Sequence, residues 1–134
     1  MNDSLVIIPT YNEKENIQLI EEAVIALPKS FDILIVDDGS PDGTADIVKG
    51  LQSSDLGETT LHLIEREGKL GLGTAYITGF KFAIEKKYDY VFEMDADFSH
   101  NPNDLVRLYE ACAKEGKDLA VGSRYISGVN VVNW

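Results

Sequence analysis

Asp95 and Asp97 stand one residue apart, directly after the apolar run Tyr90-Val91-Phe92-Glu93-Met94. Two carboxylates so spaced at the end of an extended segment reach one hard cation, and oxygen ligands select Mg²⁺ or Mn²⁺ over softer metals. Magnesium usually takes one or two protein carboxylates and leaves its other positions to water and substrate phosphates. Twelve aspartates in 134 residues give about one such spacing by chance, so a solvated turn is the plain alternative. What favours a metal is the company the pair keeps. Asp37 and Asp38 follow a second apolar run, Ile33-Leu34-Ile35-Val36, and Tyr11 and Glu13 follow a third, Leu5-Val6-Ile7-Ile8.

Each of these has its own bland alternative. Asp38-Gly39-Ser40-Pro41 is turn-forming chemistry, which explains the glycine and proline but not two adjacent carboxylates at the end of a buried run. Such a carboxylate accepts hydrogen bonds from a nucleobase or a ribose. An aromatic ring at Tyr11 stacks on a base, and Glu13 accepts a base N–H; equally, both suit the first turn of a helix, where an acidic residue is favourable. Arg124, after Gly122-Ser123, presents a fork for a phosphate. The loop Gly68-Lys69-Leu70-Gly71-Leu72-Gly73-Thr74-Ala75 is neither a dinucleotide fingerprint nor a P-loop, and is read as a turn and helix start whose amides face a ligand. Cys112 shares a helical face with Leu105, Leu108 and Tyr109 and reads as core. His62 lies within an apolar run with no carboxylate or thiol at a recognisable spacing, and His100 reads as a solvent-facing loop residue.

The elements that must position these groups follow from the alternation of apolar runs with helical patterns. Strands are expected at Leu5–Ile8, Ile33–Val36, Leu61–Ile64, Tyr90–Met94 and Leu119–Val121, short and without polar alternation, as in a parallel sheet buried on both faces. A capping box of Asn12 and Glu15 should open the first helix, with Ile17, Ile20, Val24 and Leu27 at helical spacing and Pro28 closing it. Ser40 before Pro41 should cap a second helix running to about Leu51. A third is expected from about Thr74 to Lys87, and a fourth from Pro102 to near Gly116. Past Ser123 no element is predicted. The expected fold is α/β, an open, mainly parallel sheet with helices on both faces, in which ligands bind beyond the carboxyl ends of the strands.

Composition narrows the function. The net charge of −11 argues against nucleic acid and anionic lipid as primary partners. No apolar run approaches the ~18 residues needed to span a bilayer, and the start does not read as a signal peptide. One cysteine allows no internal disulfide, and the expectation is a cytoplasmic protein. The lack of a closing polar run after Arg124 predicts the first part of a longer chain.

Five segments then carry a resemblance: Pro9-Thr10-Tyr11-Asn12-Glu13, Val36-Asp37-Asp38-Gly39-Ser40-Pro41-Asp42-Gly43-Thr44, Gly68 to Tyr76, Met94-Asp95-Ala96-Asp97-Phe98-Ser99-His100 and Gly122-Ser123-Arg124-Tyr125. In order and spacing they resemble family 2 glycosyltransferases, and within them the dolichol-phosphate (polyprenol-phosphate) mannosyltransferases. The resemblance implies a GT-A nucleotide-sugar-binding fold, residues 1–134 being its N-terminal part. It implies GDP-mannose as donor, Mg²⁺ or Mn²⁺ on the diphosphate, and inverting transfer of mannose to a polyprenyl phosphate through a region beyond this chain. By position, Pro9, Tyr11, Glu13, Val36 and Asp38 would line the guanosine pocket. Asp95, Ala96 and Asp97 would meet diphosphate and metal, with Asp95 and Asp97 the catalytic pair, and Arg124 would contact the donor. Ser99 stands where some relatives carry a longer Gln. A family member using a UDP-sugar stays open as an alternative. So do a receiver-like Mg²⁺-binding α/β domain and a non-catalytic nucleotide-binding fragment.

Overall fold

The computed structural model describes residues 2–67, 72–96, 101–115, 119–122 and 129–132. Ser4–Thr10 (β1) and Asp32–Asp37 (β2) lie at the centre, and the side chains of Leu5–Ile8 and Ile33–Val36 are all essentially buried. This is why these runs are apolar throughout rather than alternating. Leu61–Glu65 (β3), Tyr90–Glu93 (β4), Leu119–Gly122 (β5) and Val129–Val132 (β6) complete a sheet in the order β3-β2-β1-β4-β5-β6. All pairings are parallel except that of β5 with β6. The chain therefore steps outward from β1 to β3, then crosses to the other side of β1 to place β4. That reversal is the point at which open α/β sheets bind ligands, and the order differs from the 2-1-3-4-5 of receiver domains.

Successive residues of a strand face opposite sides, and the two sides build two cores. Val6, Ile8, Ile33, Ile35 and Phe92 pack under Ile17–Ile25 (α1), Thr44–Gln52 (α2) and Asp104–Glu115 (α4). Leu5, Ile7, Leu34, Val36 and Val91 pack under Leu72–Glu85 (α3), which contributes the small Ala75 and Ala83. Gly79 makes this contact close: a Cβ there would lie 2.7 Å from the Ile7 side chain. Lys87 at φ 62° ends the helical path, and the Tyr88 amide turns back to the Ala83 carbonyl at 3.1 Å.

At the amino edge of the sheet, away from the carboxyl ends, the buried Asp32 carboxylate accepts from Asn2 Nδ2 (2.8 Å), the Thr60 amide (2.9 Å) and the Tyr88 hydroxyl (2.7 Å). The Tyr88 hydroxyl thus donates its one O–H to Asp32, so its oxygen accepts from His62 Nε2 at 3.1 Å. Burial pushes the His62 imidazole below its ordinary pKa, against the pull of Asp32. The hydrogen-bond partner of His62, Tyr88, lies 26 residues away in sequence, which is why no local spacing revealed it.

Three expectations are corrected. α1 starts at Ile17 behind Asn16, which makes no side-chain cap, and Asn12 sits at φ 55° instead of opening a capping box with Glu15. α2 starts at Thr44 behind Gly43 at φ 90°, not at Ser40 and Pro41. In both cases the would-be capping residues are spent on the turns that precede the helices. The tail expected to hold no element contains β6, a short strand recruited by pairing with β5. Elsewhere the expected segments hold, with ends displaced by up to two residues.

Candidate functional site

Among the described residues the carboxyl edge opens between β1 and β4. β1 and β4 pair only from Ser4–Tyr90 to Ile7–Glu93, closed by the Met94 amide on the Ile7 carbonyl at 3.0 Å. Two residues on, Pro9 has no N–H to continue a ladder, while its other side stays in register with Val36 of β2. β1 and β4 thus separate, and the turns after β1, β2 and β4 lie around the gap.

The turn after β1 is held by the turn after β2. The consecutive amides of Asn12, Glu13 and Lys14 donate to Ser40 Oγ (2.9 Å), Thr44 Oγ1 (3.0 Å) and Asp42 Oδ2 (3.2 Å). Asp42 Oδ1 in turn accepts from the Thr44 amide (3.0 Å) and hydroxyl (2.5 Å). Ser40, Asp42 and Thr44 are therefore scaffolding for the segment carrying Tyr11 and Glu13. Tyr11 is exposed on the surface and Glu13 is partly exposed, with Asn16 Nδ2 3.3 Å from its Oε2.

Asp37 and Asp38 separate in role. Asp37 is buried and accepts from Thr10 Oγ1 (2.7 Å), the Ser40 amide (3.0 Å) and the Ser40 hydroxyl (2.7 Å), tying β1 to the turn. Asp38 forms an ion pair with Arg66, Nε to Oδ1 at 2.5 Å, with side-chain exposures of only 9% for Arg66 and 8% for Asp38. Arg66 also donates through Nη1 to Thr74 Oγ1 at 2.9 Å, and its amide donates to the Asp37 carbonyl at 2.7 Å. In the sequence Arg66 directly follows β3. Its partner is 28 positions away, and no motif spacing joins them.

On the far side of the gap, Ala96 is buried and Asp95 is partly exposed, with the Tyr76 hydroxyl donating to Asp95 Oδ1 at 3.1 Å. Burial, and then the nearby Asp95 charge, push the Glu93 carboxyl above its usual range. Asp97, Ser99, His100, Arg124 and residues 68–71 lie outside the described residues, as does the Cys112 side chain. Among the described residues no three metal-ligating side chains gather. Asp95 supplies a hard oxygen donor at the gap. With one more carboxylate that satisfies an ion which takes only one or two from the protein, so the donor chemistry present fits Mg²⁺ or Mn²⁺. Pro9, Tyr11, Glu13, Val36 and Asp38 thus stand at the ends of β1 and β2, and Asp95 and Ala96 at the end of β4. Also among the described residues, no helix is long and apolar enough to cross a membrane.

An open, mainly parallel sheet with this crossover, flanked by helices and carrying an acidic rim at its carboxyl edge, is an α/β domain of GT-A-like architecture. Residues 5–134 match glycosyl transferase family 2, and the chain belongs to that family. It is similar to the polyprenol monophosphomannose synthase of Mycolicibacterium smegmatis, with 47% identity over 131 residues, covering 98% of this chain and 48% of the relative. The undecaprenyl-phosphate mannosyltransferase of Micrococcus luteus is likewise 47% identical over 131 residues, covering 97% and 51%. The chain thus spans about half the length of these curated relatives. Among solved structures it resembles the mannosyltransferase PcManGT of Pyrobaculum calidifontis, in complex with GDP-Man and Mn²⁺. That match has a TM-score of 0.54 at 28% identity, over 60% of this chain and 24% of that one. S. aureus TarS shares the fold, with a TM-score of 0.66 at 22% identity over 85% of this chain and 20% of that one.

Proposed function

We propose that the chain is the nucleotide-sugar-binding part of an inverting mannosyltransferase that moves mannose from GDP-mannose to a polyprenyl phosphate. The observation that carries this reading is the 47% identity, along nearly the whole chain, to two enzymes named for polyprenyl-phosphate mannosylation. The position of Tyr11, Glu13, Asp38 and Asp95 after β1, β2 and β4 supports it. Pro9, Tyr11, Glu13, Val36 and Asp38 line the base side, where Tyr11 offers a ring face and Glu13 and Asp38 accept base N–H groups. Asp95, Ala96 and Asp97 serve the diphosphate side, and Arg124 contacts the donor. Asp95 and Asp97 would hold a divalent cation, which would supply positive charge against the leaving diphosphate.

In the transfer a phosphate oxygen of the acceptor attacks the anomeric carbon from the face opposite GDP. The bond from that carbon to the β-phosphate oxygen breaks, the new glycosyl phosphate forms, and GDP departs. A phosphate monoester has a second pKa of about 6, so this nucleophile is already anionic at neutral pH and needs no general base. The polyprenyl tail partitions into a bilayer, which places the reaction at a membrane surface, here read as the cytoplasmic face.

The test supplies the purified full-length protein with radiolabelled GDP-mannose, undecaprenyl phosphate in detergent and Mn²⁺. Label should pass to the organic phase, stop on chelation by EDTA, and fall on the order of 100-fold or more in Asp97→Ala. Transfer from a labelled UDP-sugar with none from GDP-mannose overturns the donor assignment.

A further inference from the structure

We propose that Tyr76 is a positioning residue for the diphosphate side of the site, its phenol holding the Asp95 carboxylate in the orientation that ligates a divalent cation. The inference rests on the reading of Asp95 as a metal ligand. Asp95 lies beyond the last ladder contact of β4, since pairing with β1 ends at Glu93 and the Met94 amide makes the closing bond. The strand therefore fixes the backbone up to Met94, and the plane of the carboxylate must be set by something else. Tyr76, 19 residues earlier on α3, donates its hydroxyl to Asp95 Oδ1 at 3.1 Å.

The height of that hydroxyl above the sheet is not accidental. Ala75 and Ala83 are fully buried against the second core, and Gly79, three residues after Tyr76, lets α3 settle directly on Ile7. Tyr76 is itself partly buried against this core, so its ring is held by packing. Packing alone would be served by a phenylalanine, which α3 uses at Phe80 and Phe82 for the same core; the hydroxyl is the part that reaches Asp95. Two residues earlier Thr74 takes Arg66 Nη1, and Arg66 pairs with Asp38. The first turns of α3 thus touch both sides of the gap, Asp38 through Arg66 and Asp95 directly. Partners that orient a metal's ligands act on affinity as the ligands do.

The experiment measures Mn²⁺ binding to the GDP-loaded full-length protein by electron paramagnetic resonance, for wild type, Tyr76→Phe and Asp95→Asn. Metal-free GDP affinity and melting temperature are measured alongside. Tyr76→Phe should weaken Mn²⁺ binding roughly 10-fold while both controls stay at wild-type values, and Asp95→Asn should weaken it further. Wild-type Mn²⁺ affinity in Tyr76→Phe, with a clear loss in Asp95→Asn, overturns the positioning role and leaves the metal reading standing. Wild-type Mn²⁺ affinity in Asp95→Asn overturns both. Equal losses of Mn²⁺ affinity, metal-free GDP affinity and melting temperature in Tyr76→Phe overturn the positioning role in favour of a packing one.

Discussion

Arg66 shows what a single residue contributes at this edge. Its guanidinium is almost wholly covered and holds a carboxylate that is equally covered. Removing one member of such a pair leaves the other charged, buried and alone. Arg66→Met should therefore lower the unfolding free energy by about 3 kcal/mol, read from urea denaturation. Asp38→Asn combined with Arg66→Met should recover most of that loss, because no charge is then stranded; an additive double variant would mean that the ion pair is not the source. At this scale the sequence revealed only half of each pair. Asp38 and Asp95 were recognisable because a carboxylate after a buried run is unusual. Arg66 and Tyr76 were not, because their partners are 28 and 19 positions distant. Asp37 was weighed alongside Asp38 and is a turn residue, its oxygens taken by Thr10 and Ser40.

At the scale of elements, α3 reaches both sides of the gap, through Thr74 on Arg66 and Tyr76 on Asp95. Alanine in place of glycine inside a helix ordinarily stabilises it by up to about 1 kcal/mol. At Gly79 the new methyl would meet Ile7 at 2.7 Å, and Ile7 is fully buried, so overpacking of about 1–3 kcal/mol wins. Gly79→Ala should lower the melting temperature, and pairing it with Ile7→Ala should cost less than the two separate losses combined, because the smaller side chain makes room. The helices themselves were legible from their apolar spacing, Ile17, Ile20 and Val24 being buried as expected. Their starts were not. Asn12, Ser40 and Pro41 carry the chemistry of helix caps, and a local reading cannot know that Ser40 and Thr44 are needed by amides some 30 residues earlier.

For the molecule as a whole, the parallel architecture followed from strand runs too uniformly apolar to have a wet face. β6 escaped because four residues of Val-Asn-Val-Val acquire meaning only beside β5. Global stability should also carry the mark of His62. Its folded pKa lies below the unfolded value of about 6.5, so in that range the unfolded chain binds the proton more readily. Stability is then complete above about pH 6.5 and is lost as the pH falls below it. His62→Gln keeps a donor for Tyr88 and removes the titration. Its urea midpoint should fall less than that of wild type between pH 7.5 and pH 5; parallel curves would exclude His62 as the cause. Glu21 and Glu93, both raised by burial, act in the opposite direction but are common to both proteins and cancel in the difference.

The three amides that reach from residues 12–14 into Ser40, Thr44 and Asp42 have one more implication. Ordering a backbone residue takes on the order of 1–2 kcal/mol of entropy. Here that outlay is met when the chain folds, so a ligand arriving at this rim finds a mould already set and surrenders little of its affinity to shaping it.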